Sequence, residues 1–267
     1  MQRRRFLTSS LAASTLALEG ANLLKAQQPS SGTGREYYEL RKFHLEQGPQ
    51  QKLTSAYVEH ALIPALNRLG ISPIGAFNLD LGPETPTLYL LLPSTSLETL
   101  VTADLHLSKD EEFLQAAHPF WNAPAAQPAF VRMESSLMTA FEGHPKLTVP
   151  PVTAQNGKRV FQLRTYESPS NADHVRKVEM FHNGEFEIFQ KAGFWQVFYG
   201  DTLIGPRLPN LTYMLSYPDL SELNDKWKAF MSDPEWKKLS SSPKYSYESL
   251  VTNITNLILS PTPYSQI

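Results

Sequence analysis

The chain has 267 residues, of which 41% are hydrophobic and 19% charged, the make-up of a folded globular protein rather than a disordered one. Its formal net charge is -2, so the broad basic surface of a dedicated nucleic-acid binder is excluded. The absence of cysteine excludes disulfides, thiolate metal ligands, a cysteine nucleophile and a lipoprotein anchor.

The first segment reads as an address. Arg3-Arg4-x-Phe6-Leu7 fits the twin-arginine export pattern, and a weakly apolar stretch from Leu11 to Leu24 follows, interrupted by Glu19. That stretch is too short and too polar for a permanent membrane span. With Leu24-Lys25-Ala26 as a cleavage site, residues 1–26 are expected to be a twin-arginine signal peptide. The protein is then expected to be periplasmic or otherwise extracytoplasmic, with no integral membrane segment once the signal is removed. Residues 27–35 read as a Ser/Gly-rich linker.

The rest of the chain contains itself twice. A shift of 123 residues aligns Leu40-Arg41 with Leu163-Arg164, Gly70 with Gly193, Gly82-Pro83 with Gly205-Pro206 and Pro86 with Pro209, without a gap. Strands are expected at 37–45 and 160–166. A helix follows in each copy, at 51–69 and 172–192, with Pro64 expected to kink or interrupt the first. Gly70 and Gly193 then stand where a left-handed helix end favours glycine. Further strands are expected at 71–79 and 194–199, then at 87–92 and 211–217. A second helical region follows in each copy. In copy two it runs from Leu220 to Met231 and restarts at Asp233-Pro234, an N-cap followed by a proline suited to the first helical turn. Final strands are expected at 130–137 and 245–251. The Pro-rich stretch from His144 to Val152 suits a stiff connection.

The order β-α-β-β-α-β, twice, is the ferredoxin-like split unit. The expected fold class is α+β: two tandem ferredoxin-like units forming a pseudo-dimeric α/β barrel, with units at 36–144 and 159–260 and a linker at 145–158.

Several short motifs, in order, resemble the NIPSNAP family. They are Tyr38-Glu39-Leu40-Arg41, Gly70-Ile71 and Gly82-Pro83 in copy one. In copy two they are Phe161 to Tyr166, Gly193-Phe194-Trp195, Asp219 to Glu222, Trp227 to Phe230 and Asp233-Pro234-Glu235-Trp236. Glu134 to Leu137 and Glu248-Ser249-Leu250 resemble the family's last strand. Copy one departs at Ser108 to Phe113, where Asp-Pro-x-Trp should stand. The resemblance implies the dimeric α+β barrel fold and no defined activity.

Alternation along the first strands is expected to turn Glu39, Arg41 and Phe43 toward the barrel interior, with Gln162, Arg164 and Tyr166 on the same face in copy two. Two pseudosymmetric guanidiniums would suit a carboxylate or phosphate ligand, with Tyr166 and Trp195 stacking beside it. The structural alternative is that Arg41 pairs with Glu39 or another carboxylate across strands. The change from Glu39 to Gln162 makes Arg164 the stronger ligand-binding candidate. Aromatics gather in copy two, where packing is their default role, and Trp227 and Trp236 are expected to anchor the second helices.

No metal site is expected among the seven histidines, and His182 reads as surface or capping. His60 and His174 are the candidates should haem be bound; otherwise no cofactor is expected. No dinucleotide, phosphate-loop or nucleophile-elbow motif is present, so catalytic residues are not assigned. The expected role is binding of a small anionic or aromatic ligand in the barrel lumen, through Arg41, Arg164, Tyr166, Trp195, Glu39 and Gln162. The alternatives are a cofactor-free or haem-dependent oxygenase and a protein-interaction module. Homo-oligomerisation is compatible with all three.

Overall fold

The computed structural model describes residues 34–82 and 84–267. The expected signal peptide, most of the first linker and Pro83 lie outside the described residues. The first half contains β1 (Tyr37–His44), α1 (Pro49–Tyr57), α2 (Ile63–Arg68), β2 (Gly75–Leu79), β3 (Thr87–Ser94), α3 (Leu97–Leu107), α4 (Glu111–Trp121) and β4 (Arg132–Ala140). The second half contains β5 (Val160–Glu167), α5 (Asn171–Met180), α6 (Phe186–Lys191), β6 (Trp195–Ile204), β7 (Asn210–Tyr217), α7 (Leu220–Ser232), α8 (Pro234–Ser240), α9 (Tyr247–Leu250) and β8 (Asn253–Pro261).

The eight strands close into an antiparallel barrel in the order β1-β3-β2-β8-β5-β7-β6-β4. Each half contributes four consecutive strands. The seams are β2 with β8 and β4 with β6, so closure leaves neither half with an open sheet edge. The chain after β8 returns to the first half, where Thr262 N donates to Ala76 O (2.9 Å) and Gln266 N to Ile74 O (2.9 Å).

Local chemistry explains where the helices start and stop. Asp219 Oδ1 accepts from Glu222 N at the start of α7, and Asp233 Oδ1 accepts from Glu235 N at the start of α8, with Pro234 next in line. Copy one keeps this device where its sequence departs from the family pattern. Asp110 Oδ1 accepts from Phe113 N to start α4, and Phe113 is buried there, in the position of Trp236. Gly70 and Gly193 both have φ 79, the left-handed helix end expected of them. A π-helical turn joins α1 to α2 at Val58–Leu62, whereas α5 and α6 meet at a kink within Phe181–Glu185, where Asn183 and Gly184 leave helical geometry and Gly184 has φ 128. Pro64 lies just after the π-helical turn. The kink of the second half falls at the same register at Gly184, without a proline, so the two copies interrupt this helix at one place by different local means.

One expected strand is not formed. Residues 245–251 carry the helical turn α9, and the last strand is β8 at Asn253–Pro261. Leu250 N donates to Ser246 O (3.2 Å), and Tyr245 OH accepts from Asn183 Nδ2 (2.9 Å). The Glu248-Ser249-Leu250 motif therefore sits on a helix, while Glu134 to Leu137 sits on β4.

The face assignment of the first strands is inverted relative to the expectation. The interior is filled by Tyr38, Leu40, Phe77, Tyr89, Leu91, Met138, Phe161, Leu163, Val197, Phe198, Met214 and Leu259, each under 7% exposed. Glu39, Arg41 and Phe43, with Gln162, Arg164 and Tyr166, point outward beneath the helices. Both residue rows of β1 and β5 contain large apolar side chains, because both sheet faces are covered. Alternation then gives the rows without saying which is inside. The two arginines form no clamp in the lumen, which is packed core apart from a recess of about 340 Å³ that reaches Leu40, Leu79, Tyr89 and Leu163.

Among the described residues, no helix is long and apolar enough to cross a membrane.

Candidate functional site

The outward row of β5 forms the floor of a cleft of about 610 Å³ in the second half. Arg164, Tyr166 and Glu185 line the floor, Trp227, Phe230 and Trp236 line the walls, and the exposed Ser241 and Glu248 lie at the rim. α7 and α8 meet at Asp233, so Trp227, Phe230 and Trp236 converge; Phe230 and Trp236 lie 4.5 Å apart between ring centroids. The guanidinium of Arg164 lies 4.5 Å from the Trp227 ring and 5.3 Å from that of Tyr166. Its Nε donates to Tyr166 OH (3.2 Å), which is linked to Tyr213 OH (2.7 Å).

Below this lies an ion pair shut off from solvent. Lys177 Nζ on α5 donates to Glu185 Oε2 at 2.6 Å, with side chains 0% and 1% exposed. Burial pushes the Glu185 carboxyl above the ordinary carboxylate range, against the pull of Lys177 and Arg164. Lys177 Nζ also lies 4.5 Å from the Phe181 ring. Gln162 is held by three contacts. Its Oε1 accepts from Trp227 Nε1 (2.7 Å) and Tyr217 OH (2.8 Å), and its Nε2 donates to Asn256 Oδ1 (2.9 Å).

The first half supplies an internal comparison. The positions of Tyr166, Lys177, Glu185 and Tyr213 are there occupied by Phe43, Thr54, Leu62 and Leu90. All four are buried in the helix–sheet layer, three of them apolar, and Thr54 donates to Ala129 O (3.0 Å). The architecture thus forms without an ion pair or tyrosine network at these places. Around Arg41, the structural alternative drawn from the sequence is realised. Glu39 binds it at two points (Nε–Oε1 2.8 Å, Nη2–Oε2 3.1 Å), and Asp104 lies 3.3 Å from Nη1. Burial opposes the charge of Arg41, but these carboxylates outweigh it and raise its pKa. The recess beside Arg41 is about 270 Å³.

The expected site residues therefore fall into three places. Arg164, Tyr166 and Gln162 gather in the second half. Glu39 and Arg41 pair in the first. Trp195 lies away from both, 37% exposed, donating to Thr148 O (3.2 Å) and so tying down the Pro-rich connection. His174 Nε2 meets Asp201 Oδ1 (2.7 Å), and His60 is exposed beside Glu59. His182 bridges the halves: its Nε2 accepts from Gly143 N (3.0 Å). Among the described residues, no group of three or more His, Asp or Glu could hold a metal ion.

Sequence reasoning missed Lys177, Glu185 and Tyr213, and it gave Trp227 and Trp236 only an anchoring role. The available signal was the comparison of the copies, in which apolar or small core residues of copy one become charged or phenolic in copy two.

The sequence profile of the NIPSNAP family matches residues 161–266. No curated protein matches the chain. Among solved structures, a candidate monooxygenase from Fusobacterium nucleatum is 11% identical, with 86% of this chain and 94% of that one covered and a TM-score of 0.58. A candidate monooxygenase from Lactobacillus acidophilus is 10% identical over 85% of this chain and 94% of that one, with a TM-score of 0.53. An uncharacterized NIPSNAP-like domain protein from Burkholderia xenovorans is 20% identical over 40% of this chain and 88% of its own, with a TM-score of 0.36.

Proposed function

We propose, proceeding from the membership of residues 161–266 in the NIPSNAP family, that the second half binds a small anionic, aromatic molecule in the cleft between its sheet and helices. The single observation that carries this reading is the difference between the halves at matched positions. A buried ion pair is costly to desolvate and is weak evidence for a stabilising role. The first half shows that the fold does without it. The investment of Lys177, Glu185, Tyr166 and Tyr213 in the second half, where Tyr166 and Glu185 line a cleft within the size range of ligand sites, is then best explained by a ligand. Aromatic walls supply area for a planar body, and the guanidinium supplies charge. The likeness to candidate monooxygenases at 10–11% identity concerns the fold and assigns no reaction.

The chain's four tryptophans make the test direct. A library of small aromatic acids and phenols, titrated while the indole N–H resonances are followed by NMR, should shift those of Trp227 and Trp236. Trp121 in the first half and Trp195 on the connection should stay in place. Shifts confined to Trp121 or Trp195 would remove the cleft as the binding site.

Export by the twin-arginine route is the setting we propose for this activity, on the strength of Arg3-Arg4. Changing both to lysine should leave the protein in the cytoplasm; unchanged export in a cell fractionation would refute the route.

A further inference from the structure

We propose that the mouth of the barrel is a second site, separate from the cleft, for a free amino acid with an apolar side chain. Arg207 takes its carboxylate, Glu84 its ammonium group, and the recess at the end of the lumen its side chain. The recess is about 340 Å³, at the lower end of the size range of small-molecule sites. Its floor is buried and apolar, formed by Leu40, Leu79 and Leu163 beside Tyr89. The charged residues that line it are Lys42, Glu84, Glu134 and Arg207, which sum to zero. A mouth with both signs of charge over an apolar floor suits a ligand with both signs at one end and an apolar group at the other.

Two of the four charges satisfy each other: Lys42 Nζ lies 3.0 Å from Glu134 Oε2, and Arg132 also binds Glu134. Glu84 and Arg207 form no ion pair with each other among the described residues. They hold the same place in the two copies, each directly after a Gly-Pro pair, so the duplication brings a carboxylate and a guanidinium to one opening. Glu84 is exposed. Arg207 is held through Nη1, which meets Glu167 Oε1 (3.2 Å) and Thr255 Oγ1 (3.0 Å). Its other two guanidinium nitrogens make no hydrogen bond with a described residue. The backbone of Arg207 is strained, with φ 59 in the left-handed region that residues with a side chain rarely enter. Asn210 fixes that turn, its Nδ2 donating to Pro206 O (2.9 Å) and Arg207 O (3.0 Å). At 46% exposed, the Arg207 side chain packs little, so what the strained position supplies is a cation over the recess. Tyr89 adds a donor. It is 1% exposed and lines the recess, and its hydroxyl makes no hydrogen bond with a described residue. Burial and the carboxylates of Glu84 and Glu134 push its pKa up, against the pull of Arg207, so it stays protonated and can donate to a ligand oxygen.

The experiment is isothermal titration calorimetry with L-leucine and L-phenylalanine, each beside its two truncated analogues. These are 3-methylbutylamine and 2-phenylethylamine, which lack the carboxylate, and 4-methylpentanoate and 3-phenylpropanoate, which lack the ammonium group. At least one amino acid should bind about tenfold or more tighter than either of its analogues, the scale of one charge-assisted contact. Arg207→Asn removes the charge with a residue that accepts the left-handed backbone, and should bring that amino acid to within about threefold of its amine. Glu84→Gln should bring it to within about threefold of its deaminated acid. Both side chains are exposed, so neither variant empties the core. The indole signals of Trp227 and Trp236, which report on the cleft, should not move. The proposal is overturned if neither amino acid binds, if the truncated analogues bind as tightly, or if the preference survives Arg207→Asn or Glu84→Gln. An amino acid that shifts the Trp227 and Trp236 signals and ignores both variants would belong to the cleft, which also overturns the mouth as its site.

Discussion

Replacing Lys177 by methionine should cost about 3–5 kcal/mol of folding stability at neutral pH, the usual penalty for removing one partner of a buried ion pair. The reason is geometric. Lys177 Nζ lies 2.6 Å from Glu185 Oε2, and neither side chain touches solvent. The methionine leaves the Glu185 carboxylate inside an apolar layer of Phe181, Phe189 and Phe230. Changing both residues, Lys177→Met with Glu185→Leu, removes the charges together and should recover most of that loss. Leu62 shows that leucine is accommodated at the matching place in the first half. Urea midpoints of the two variants make the comparison.

The pH dependence has a defined sign. Glu185 titrates above the ordinary carboxylate value when folded, so the native state holds its proton more tightly than the unfolded chain. Its contribution to stability is greatest below the unfolded value of about 4.5 and is lost as pH rises through the folded one. Without Lys177 the folded value rises further. The deficit of Lys177→Met should therefore shrink as the pH is lowered toward 4.5, and the double variant should not share that trend. Equal stability of the single and double variants at both pH values would mean that the pair does not act as a unit.

If the pair costs stability and the first half folds without its equivalent, the two halves have divided the work. The first half has an apolar helix–sheet layer and a self-satisfied arginine. The second carries the polar cluster, the larger cleft and the match to the family profile. A duplicated chain can diverge in this way because the barrel needs two sheets, whereas the proposed ligand would need only one cleft.

The sequence made much of this legible. The shift that aligns Arg41 with Arg164 also aligns β1 with β5, β3 with β7, α3 with α7 and the places where the first helix of each half is interrupted, so the copies and their order were readable before the structure. The orientation of the strands was not. Tyr38 and Leu40 alternate with Glu39 and Arg41, but Tyr37 and Phe43 on the outward row are also apolar, so burial on both faces removed the contrast on which alternation depends. The strand expected at 245–251 failed for a local reason. Tyr245, Leu250 and Val251 look strand-like, but Tyr245 and Leu250 are used to pack one helical turn against the second core. The cleft itself was hidden because Lys177 and Glu185 are eight residues apart with the kink at Asn183 and Gly184 between them, a spacing that no simple helical pattern brings together.

Phe161→Ala should be as damaging as the loss of Lys177, about 3–5 kcal/mol by the cost of an emptied aromatic site, although Phe161 lies on the opposite face of the same sheet. Phe161 is fully buried in the barrel interior, 4.7 Å between ring centroids from Phe77 of the first half. Tyr38 of the first half and Phe198 of the second make a similar contact at 5.1 Å. These rings tie the halves to a common core, and the β2–β8 and β4–β6 seams close it. Unfolding should therefore remain one transition in the variant. The indole signal of Trp121, in the first half, should be lost at the same urea concentration as those of Trp227 and Trp236, in the second. Two separated transitions would show that the halves fold as independent units that merely touch. A wide, hydrated lumen would tolerate the alanine with little loss, so a cost under about 1 kcal/mol would contradict a packed interior. Because Arg164 lies on the outward row of the same strand, Phe161→Ala and Arg164→Met separate the two faces of β5: the first should lower stability most, the second ligand affinity most.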